Sequence, residues 1–220
     1  GGWLINPNKG YDGAQVAYNN GKLALTTGFG QLNSTKADPD DKTKQISTIA
    51  ADQDVYFAQG AYDFGVAKLN ADYIASKDSD AARGKKDYEI YGVGLNVPVQ
   101  QFNVFGEYWK NTTAKDSNDT AWNAGLSYGK ADWKKVGSWD LAVAYNDVDQ
   151  NMYLDGMTGL QTTPLTFLGD GATNVTYWNA LANVTLQKNV QLHAEYAFSV
   201  DADKYDKEDD SWTVSLNYKF

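Results

Sequence analysis

Cysteine is absent from this sequence. Its absence removes disulfide scaffolds, thiolate zinc sites and thiol nucleophiles from consideration. Long apolar runs are missing as well. No stretch reaches the roughly 18 mainly apolar residues of a membrane-spanning helix, and the uncharged segment 171–187 is full of Asn and Thr. Histidine occurs once, at His193, which leaves little material for imidazole catalysis. Positive charge is in the minority, with 19 Lys and Arg against 28 Asp and Glu and a net charge of −9. A phosphate backbone needs basic clusters, so nucleic acid is not an expected partner. The chain opens on Gly1-Gly2 with neither Met nor signal peptide. It is read as a processed or trimmed product whose targeting is not written in it.

What the sequence does have is aromatic residues, 15 Tyr, 8 Phe and 7 Trp, set in alternation. In the last segment Trp212, Val214, Leu216, Tyr218 and Phe220 fall on one face of an extended chain, and Ser211, Thr213, Ser215, Asn217 and Lys219 on the other. Only period two sorts residues this way. The same pattern runs through 190–199, 177–186, 139–146 and 121–128, with earlier candidates at 12–20, 22–31, 54–63, 65–76, 87–97 and 101–110. That makes about eleven strands near the length of roughly 9–11 residues that a tilted strand needs to cross a bilayer. Mean hydropathy is only −0.54. A β-barrel is the membrane architecture that gives such a value, because lipid-facing and lumen-facing residues average out.

The connections alternate in length. Short ones fall at 19–21, 63–65, 98–100 and 187–189, with one of intermediate length at 130–137; long polar ones span 32–53, 77–86, 111–119, 147–174 and 200–210. Short turns on one side and long loops on the other define an up-and-down barrel, with the turns periplasmic and the loops extracellular. The predicted fold is therefore all-β, an antiparallel up-and-down transmembrane β-barrel, with residues 1–220 forming a single domain. Counting back from a periplasmic C-terminal strand, strand 12–20 runs downward. Bacterial barrels have even strand numbers, so one or more N-terminal strands are expected to be missing. If residues 1–11 prove to be a spanning strand, a complete 12-stranded barrel is the answer instead.

The apolar face carries rings toward its ends, as the interfacial girdles of membrane barrels do. A soluble β-sandwich core also alternates, but its strands average about 5–6 residues. The perfect period-two strand ending in Tyr218 and Phe220 resembles the C-terminal insertion signal of bacterial outer-membrane barrels. Trp212, Val214, Leu216, Tyr218 and Phe220 would carry it, and the resemblance implies the barrel-assembly machinery as a partner. The segment Tyr11-Asp12-Gly13-Ala14-Gln15-Val16-Ala17-Tyr18-Asn19-Asn20-Gly21 looks like a mid-barrel hairpin of general diffusion porins. By specific motif the resemblance covers residues 11–30 and 211–220, and by pattern the whole chain. It is nearest to the barrels of S-layer-homology-domain porins of diderm Firmicutes. That family implies a sixteen-stranded homotrimer, so about five strands would lie outside this sequence. The peptidoglycan-binding domain of those proteins is not present here, so a tethering role does not carry over.

The polar face supplies the candidate pore lining: Lys68, Asp72, Glu107, Asn123, Asp140, Asn179, Asn183, Gln191, His193 and Glu195, with Asn70 beside them. In a wide barrel such groups line water and tune selectivity; on a soluble sheet they would be a solvated face. His193 and Glu195 share that face and would be the only acid–base pair, but a lone His is more often a lining or structural residue. Acidic groups cluster at Asp38, Asp40 and Asp41 and at 201–210 without the spacing of a calcium loop, and are read as solvated loops. The 147–174 connection holds Met152, Leu154, Met157, Leu160, Leu165 and Phe167. An apolar loop this long is unsuited to water and is expected either to fold into the lumen or to cover a subunit contact.

The function expected is that of a porin integral to the bacterial outer membrane, passing ions and small hydrophilic solutes without enzymatic chemistry, cofactor or metal. The alternatives are a structural or plugged barrel, and a soluble β-sandwich binding module.

Overall fold

Alternation commits the chain to strands, and the computed structural model shows eleven of them in one antiparallel sheet. The structure describes residues 11–32, 36–37, 45–46, 53–77, 87–115, 117–152, 164–205 and 210–219. The strands are β1 (Tyr11–Asn19), β2 (Leu23–Leu32), β3 (Gln53–Asp63), β4 (Lys68–Ser76), β5 (Tyr88–Val99), β6 (Phe102–Asn111), β7 (Thr120–Gly129), β8 (Trp139–Asp149), β9 (Asn174–Gln187), β10 (Val190–Ala202) and β11 (Ser211–Tyr218). Each pairs with its sequence neighbour, so the order is strictly up-and-down. A two-residue ladder joins Lys36–Ala37 to Gln45–Ile46, and a short α1 (Thr166–Gly169) lies in the connection between β8 and β9. Among the described residues no helix is long and apolar enough to cross a membrane.

The turns explain the register. After β1, the Asn19 and Asn20 side chains accept from the Gly21 and Leu23 backbone N–H groups at 2.8 Å. Gly21 sits at φ +90°, where a Cβ would be strained. This fixes Asn19 opposite Ala24, and the alternation does the rest, since a slip of one residue would turn every side chain to the wrong face.

The two faces are inverted relative to a soluble protein. Outward-pointing Val16 and Trp212 are each 72% exposed, whereas inward-pointing Asn179 and Thr185 are 0% exposed. Along the outer face, rings recur six residues apart on single strands: Tyr56 and Tyr62, Phe102 and Tyr108, Trp122 and Tyr128, Trp139 and Tyr145, Trp212 and Tyr218. At about 3.3 Å per residue the two rows lie about 20 Å apart along the strand. Neighbouring rings touch within each row, as in Trp122–Tyr145 at 5.5 Å and Tyr145–Trp178 at 5.4 Å on one row, and Phe102–Tyr128 at 5.0 Å on the other. Between them the wall is small or aliphatic, for example Val104, Gly106, Ala124, Leu126, Leu141 and Val143.

The sheet does not close on itself. Among the described residues β1 pairs only with β2 and β11 only with β10. Strand boundaries moved by up to three residues from the expectation: β4 starts at Lys68 rather than 65, and β5 runs through Pro98 to Val99.

Candidate functional site: the inner wall

All ten expected lining residues lie on the inward face, in separate groups set by the strand register. Asp72 of β4 accepts from Gln59 Nε2 at 2.9 Å and from Asn70 Nδ2 at 3.1 Å. Two strands away, Glu107 of β6 accepts from the Trp109 indole at 2.9 Å and from Asn123 Nδ2 at 3.0 Å. The strand between them carries Gly92 and Gly94. A Cβ on Gly92 would meet the Trp109 ring at 2.3 Å, and one on Gly94 the Asn70 amide at 2.5 Å. The glycines clear the floor over which Trp109 and Asn70 lie. Both carboxylates are thus oriented by neutral donors, with Asp72 and Glu107 buried against the wall.

A second group spans β8, β9 and β10. Asp140 Oδ2 accepts from the Ala131 N–H at 2.9 Å and its Oδ1 from Asn183 Nδ2 at 2.7 Å. Asn183 Oδ1 then accepts from His193 Nδ1 at 2.7 Å, and His193 Nε2 meets Glu195 Oε1 at 2.8 Å. Because Nδ2 of Asn183 is committed to a carboxylate, its oxygen is the atom left for the imidazole. Gln191 donates to Thr185 Oγ1 at 3.0 Å, and Thr185 donates to the Asp132 carbonyl at 2.9 Å. The 130–138 turn is thereby folded over the inner face.

Ser215 stands opposite His193 in register, which would complete a Ser-His-Asn set on paper. Both imidazole nitrogens are already held by Asn183 and Glu195, and the Ser215 hydroxyl has no hydrogen-bond partner, so no nucleophile is activated. Among the described residues no group of acidic and histidine side chains could hold a metal ion. Lys68 is exposed and reaches Asp63 at 3.4 Å. Asn179 stands apart from both groups: it is fully buried and neither atom of its amide has a protein partner.

The inward face is not polar throughout, and here the structure adds to the sequence reading. At the long-loop end it is apolar: Val55, Ile74, Ile90, Trp109, Val148 and Val175 form a core cluster with Met152, Leu165 and Leu168 from the 150–173 connection. The described parts of that connection, 150–152 and 164–173, lie against the inside of the wall. Asp203 fastens its end by accepting from the Thr173 hydroxyl and from the Thr173 and Asn174 backbone N–H groups. The Thr173 hydroxyl, followed by those N–H groups, holds the Asp203 carboxyl below its ordinary value of 3.8. Lys204 Nζ donates to the Gly171 carbonyl at 2.8 Å and the Tyr205 hydroxyl to the Asp170 carbonyl at 2.9 Å. So Asp203 and, through Tyr196 and Ser199, Asp210 act as loop fasteners. Leu154, Met157, Leu160, Asp38, Asp40, Asp41 and Phe220 lie outside the described residues.

Of the expected insertion residues, Trp212, Val214, Leu216 and Tyr218 all point outward and are exposed. The sequence reading missed Gln59, Trp109 and Thr185 as partners. Each lies on the inward parity of its strand, which is the signal that could have found them. It also missed the inward apolar set, whose residues look individually like outer-wall residues. One cause is local: Ser199 at φ 51° marks an irregularity in β10 that brings both Val200 and Ala202 inward.

A sequence model of the Gram-negative porin family matches residues 6–132, more than half of the 220-residue chain. No curated protein matches the chain in sequence. Among solved structures, the chain is similar to Pseudomonas aeruginosa OccK2 (OpdF), at 13% identity over 94% of this chain and 68% of that one with a TM-score of 0.44. It is also similar to P. aeruginosa OccK3 (OpdO), at 11% identity over 99% of this chain and 73% of that one with a TM-score of 0.47.

Proposed function

The chain belongs to the Gram-negative porin family, and we propose that it conducts ions and small hydrophilic solutes passively through a water-filled lumen. Membership makes it a porin-type channel integral to the bacterial outer membrane, and not an enzyme. The observation that supports the finer reading is the chemistry of its two faces: apolar Val16 and Trp212 point outward and are 72% exposed, whereas the inward face carries Asp72, Glu107, Asn123 and Glu195. Apolar rings turned outward suit lipid, and amides turned inward suit water.

On this reading Lys68, Asp72, Glu107, Asn123, Asp140, Asn179, Asn183, Gln191, His193 and Glu195 line the solute path. Among the described residues β1 and β11 each have one unpaired edge, and such edges need strand partners in lipid, so on this reading the 1–220 domain contributes to a larger closed barrel. By the motifs at 11–30 and 211–220 the chain resembles the S-layer-homology porins of diderm Firmicutes. From that resemblance we carry over assembly as a homotrimer and delivery by the barrel-assembly machinery through the Trp212–Tyr218 face and Phe220.

A plugged, structural barrel is the second reading, favoured by the Met152, Leu165 and Leu168 packing inside the wall. Planar-bilayer recording of the purified full-length protein, with a salt gradient to give the reversal potential, separates the two. Large stable steps, in threes for a trimer, are expected; clean insertion without conductance would establish the plugged barrel instead.

A further inference from the structure

Lysines gather at the short-turn end of the sheet. Lys22 and Lys188 sit in turns, Lys130, Lys134 and Lys135 in the 130–138 turn, and Lys68 and Lys219 at strand ends; all seven are exposed. The acids at that end are Asp63, Asp132 and Asp140. Seven against three leaves +4 at that end, in a chain whose total is −9. Three of the lysines, Lys130, Lys134 and Lys135, belong to a turn that hydrogen bonds hold in place. The Asp132 carbonyl accepts from the inward-facing Thr185 at 2.9 Å, and the Ala131 N–H donates to the inward-facing Asp140 at 2.9 Å, so their turn lies across the inner face. Lys68 and Lys219 are on the inward parity of their strands, Lys68 in register opposite Asp63. Further up, at mid-height of the inner wall, Asp72, Glu107 and Glu195 carry carboxylates packed against it.

We infer that the lumen is electrically bipolar, with an acidic band at mid-height of the wall and a lysine-rimmed mouth at the short turns, and that the channel therefore rectifies. This rests on the conducting-channel reading above. An acidic wall concentrates cations and a basic mouth concentrates anions. When the long-loop side is positive, cations enter through the acidic half and anions through the basic half, and both accumulate in the lumen. Reversing the field draws each ion out through the half that holds it, and the lumen is depleted. The difference exists only where wall charges reach across the pore: the Debye length is about 10 Å at 0.1 M salt and about 3 Å at 1 M.

The test is single-channel recording of the full-length protein in planar bilayers, with orientation set by streptavidin blockade of a biotin on a Lys115→Cys variant. At 0.1 M KCl the current should be about twofold larger with the long-loop side positive, and the ratio should fall to about one at 1 M. The variant Lys22→Gln/Lys130→Gln/Lys134→Gln/Lys135→Gln/Lys188→Gln should lose the ratio while keeping its conductance at 1 M. Should that variant not assemble, Lys134→Gln/Lys135→Gln should lower the ratio measurably. Steps with equal current at both polarities in 0.1 M KCl, or a ratio unchanged in the lysine variants, would overturn the bipolar lumen and leave the channel standing. Absence of any steps would overturn the channel reading itself.

Discussion

At the long-loop end, Ile74, Ile90, Trp109 and Val148 bury against Met152, Leu165 and Leu168; at the short-turn end, Asp140, Asn183, His193 and Glu195 bury against one another. Both regions belong to the same inner wall, and the difference shows two ways of occupying it. The first is non-directional packing, which rewards volume and tolerates rearrangement. The second is a chain of oriented hydrogen bonds in which each member needs the next, so removing one strands its neighbours. Only the first region needs an inserted connection to cover it. The second is covered by its own turn, 130–138, and leaves charged groups facing the path.

Deleting residues 152–169 should produce the largest effect, because it removes the cover of the apolar region without touching the polar one. Conductance is expected to rise by about twofold or more as the constriction is lost. Unchanged conductance would show that the connection does not narrow the path. Leu168→Ala should cost about 2–5 kcal/mol in denaturant unfolding of the membrane-inserted protein, since Leu168 is fully buried in a packed cluster. A loss below about 0.5 kcal/mol would mean that the cluster is not packed as described.

In the polar region, Asn183→Leu should cost about 1–3 kcal/mol by leaving Asp140 and His193 each short of a partner. His193→Gln should cost less, because an amide can still reach Asn183 or Glu195. Equal losses for the two would argue against the linear chain. Gly92→Ala, between the two carboxylate groups of β4 and β6, should cost about 1–3 kcal/mol by overpacking against Trp109. A neutral result there would mean that the indole is free to move aside.

The smallest effect expected is that of pH on the loop fastening. The Asp203 carboxyl sits below its ordinary value of 3.8 because Thr173 and the adjacent N–H groups bind its charged form. Its contribution is therefore complete above about pH 3.8 and is lost as pH falls through the lowered folded value. Protease sensitivity of the 150–173 connection should rise only below about pH 4, and Asp203→Asn should remove that dependence. Sensitivity that changes near neutral pH would assign the fastening to another group.

Much of this was legible in residue order. The start and the facing of strands such as β11 could be read directly, since Trp212, Val214, Leu216 and Tyr218 alternate without a break, although the strand ends at Tyr218 rather than at 220. The inward parity of Asp72, Glu107, Asn123, Asp140, Asn183 and His193 was equally plain. The pairing of His193 with Glu195 followed from spacing two on one face, but the links to Asn183 and Asp140 did not, because they cross strands far apart in sequence. Trp109 shows the opposite difficulty. It reads as one more interfacial ring, yet its parity places it inside, and only Gly92 on the adjacent strand leaves room for it there.

Taken alone, the sequence determined what is local and periodic: strand number and order, the identity of the two faces, the rings six residues apart on the outer one, and the concentration of lysine at the short turns. Period two suffices for this because a strand's facing depends on nothing but parity. The tertiary structure decided which inward residues meet and what covers them. Those outcomes depend on register between strands and on where the 150–173 connection finds apolar surface to bury, and both are set by contacts between residues far apart in the chain.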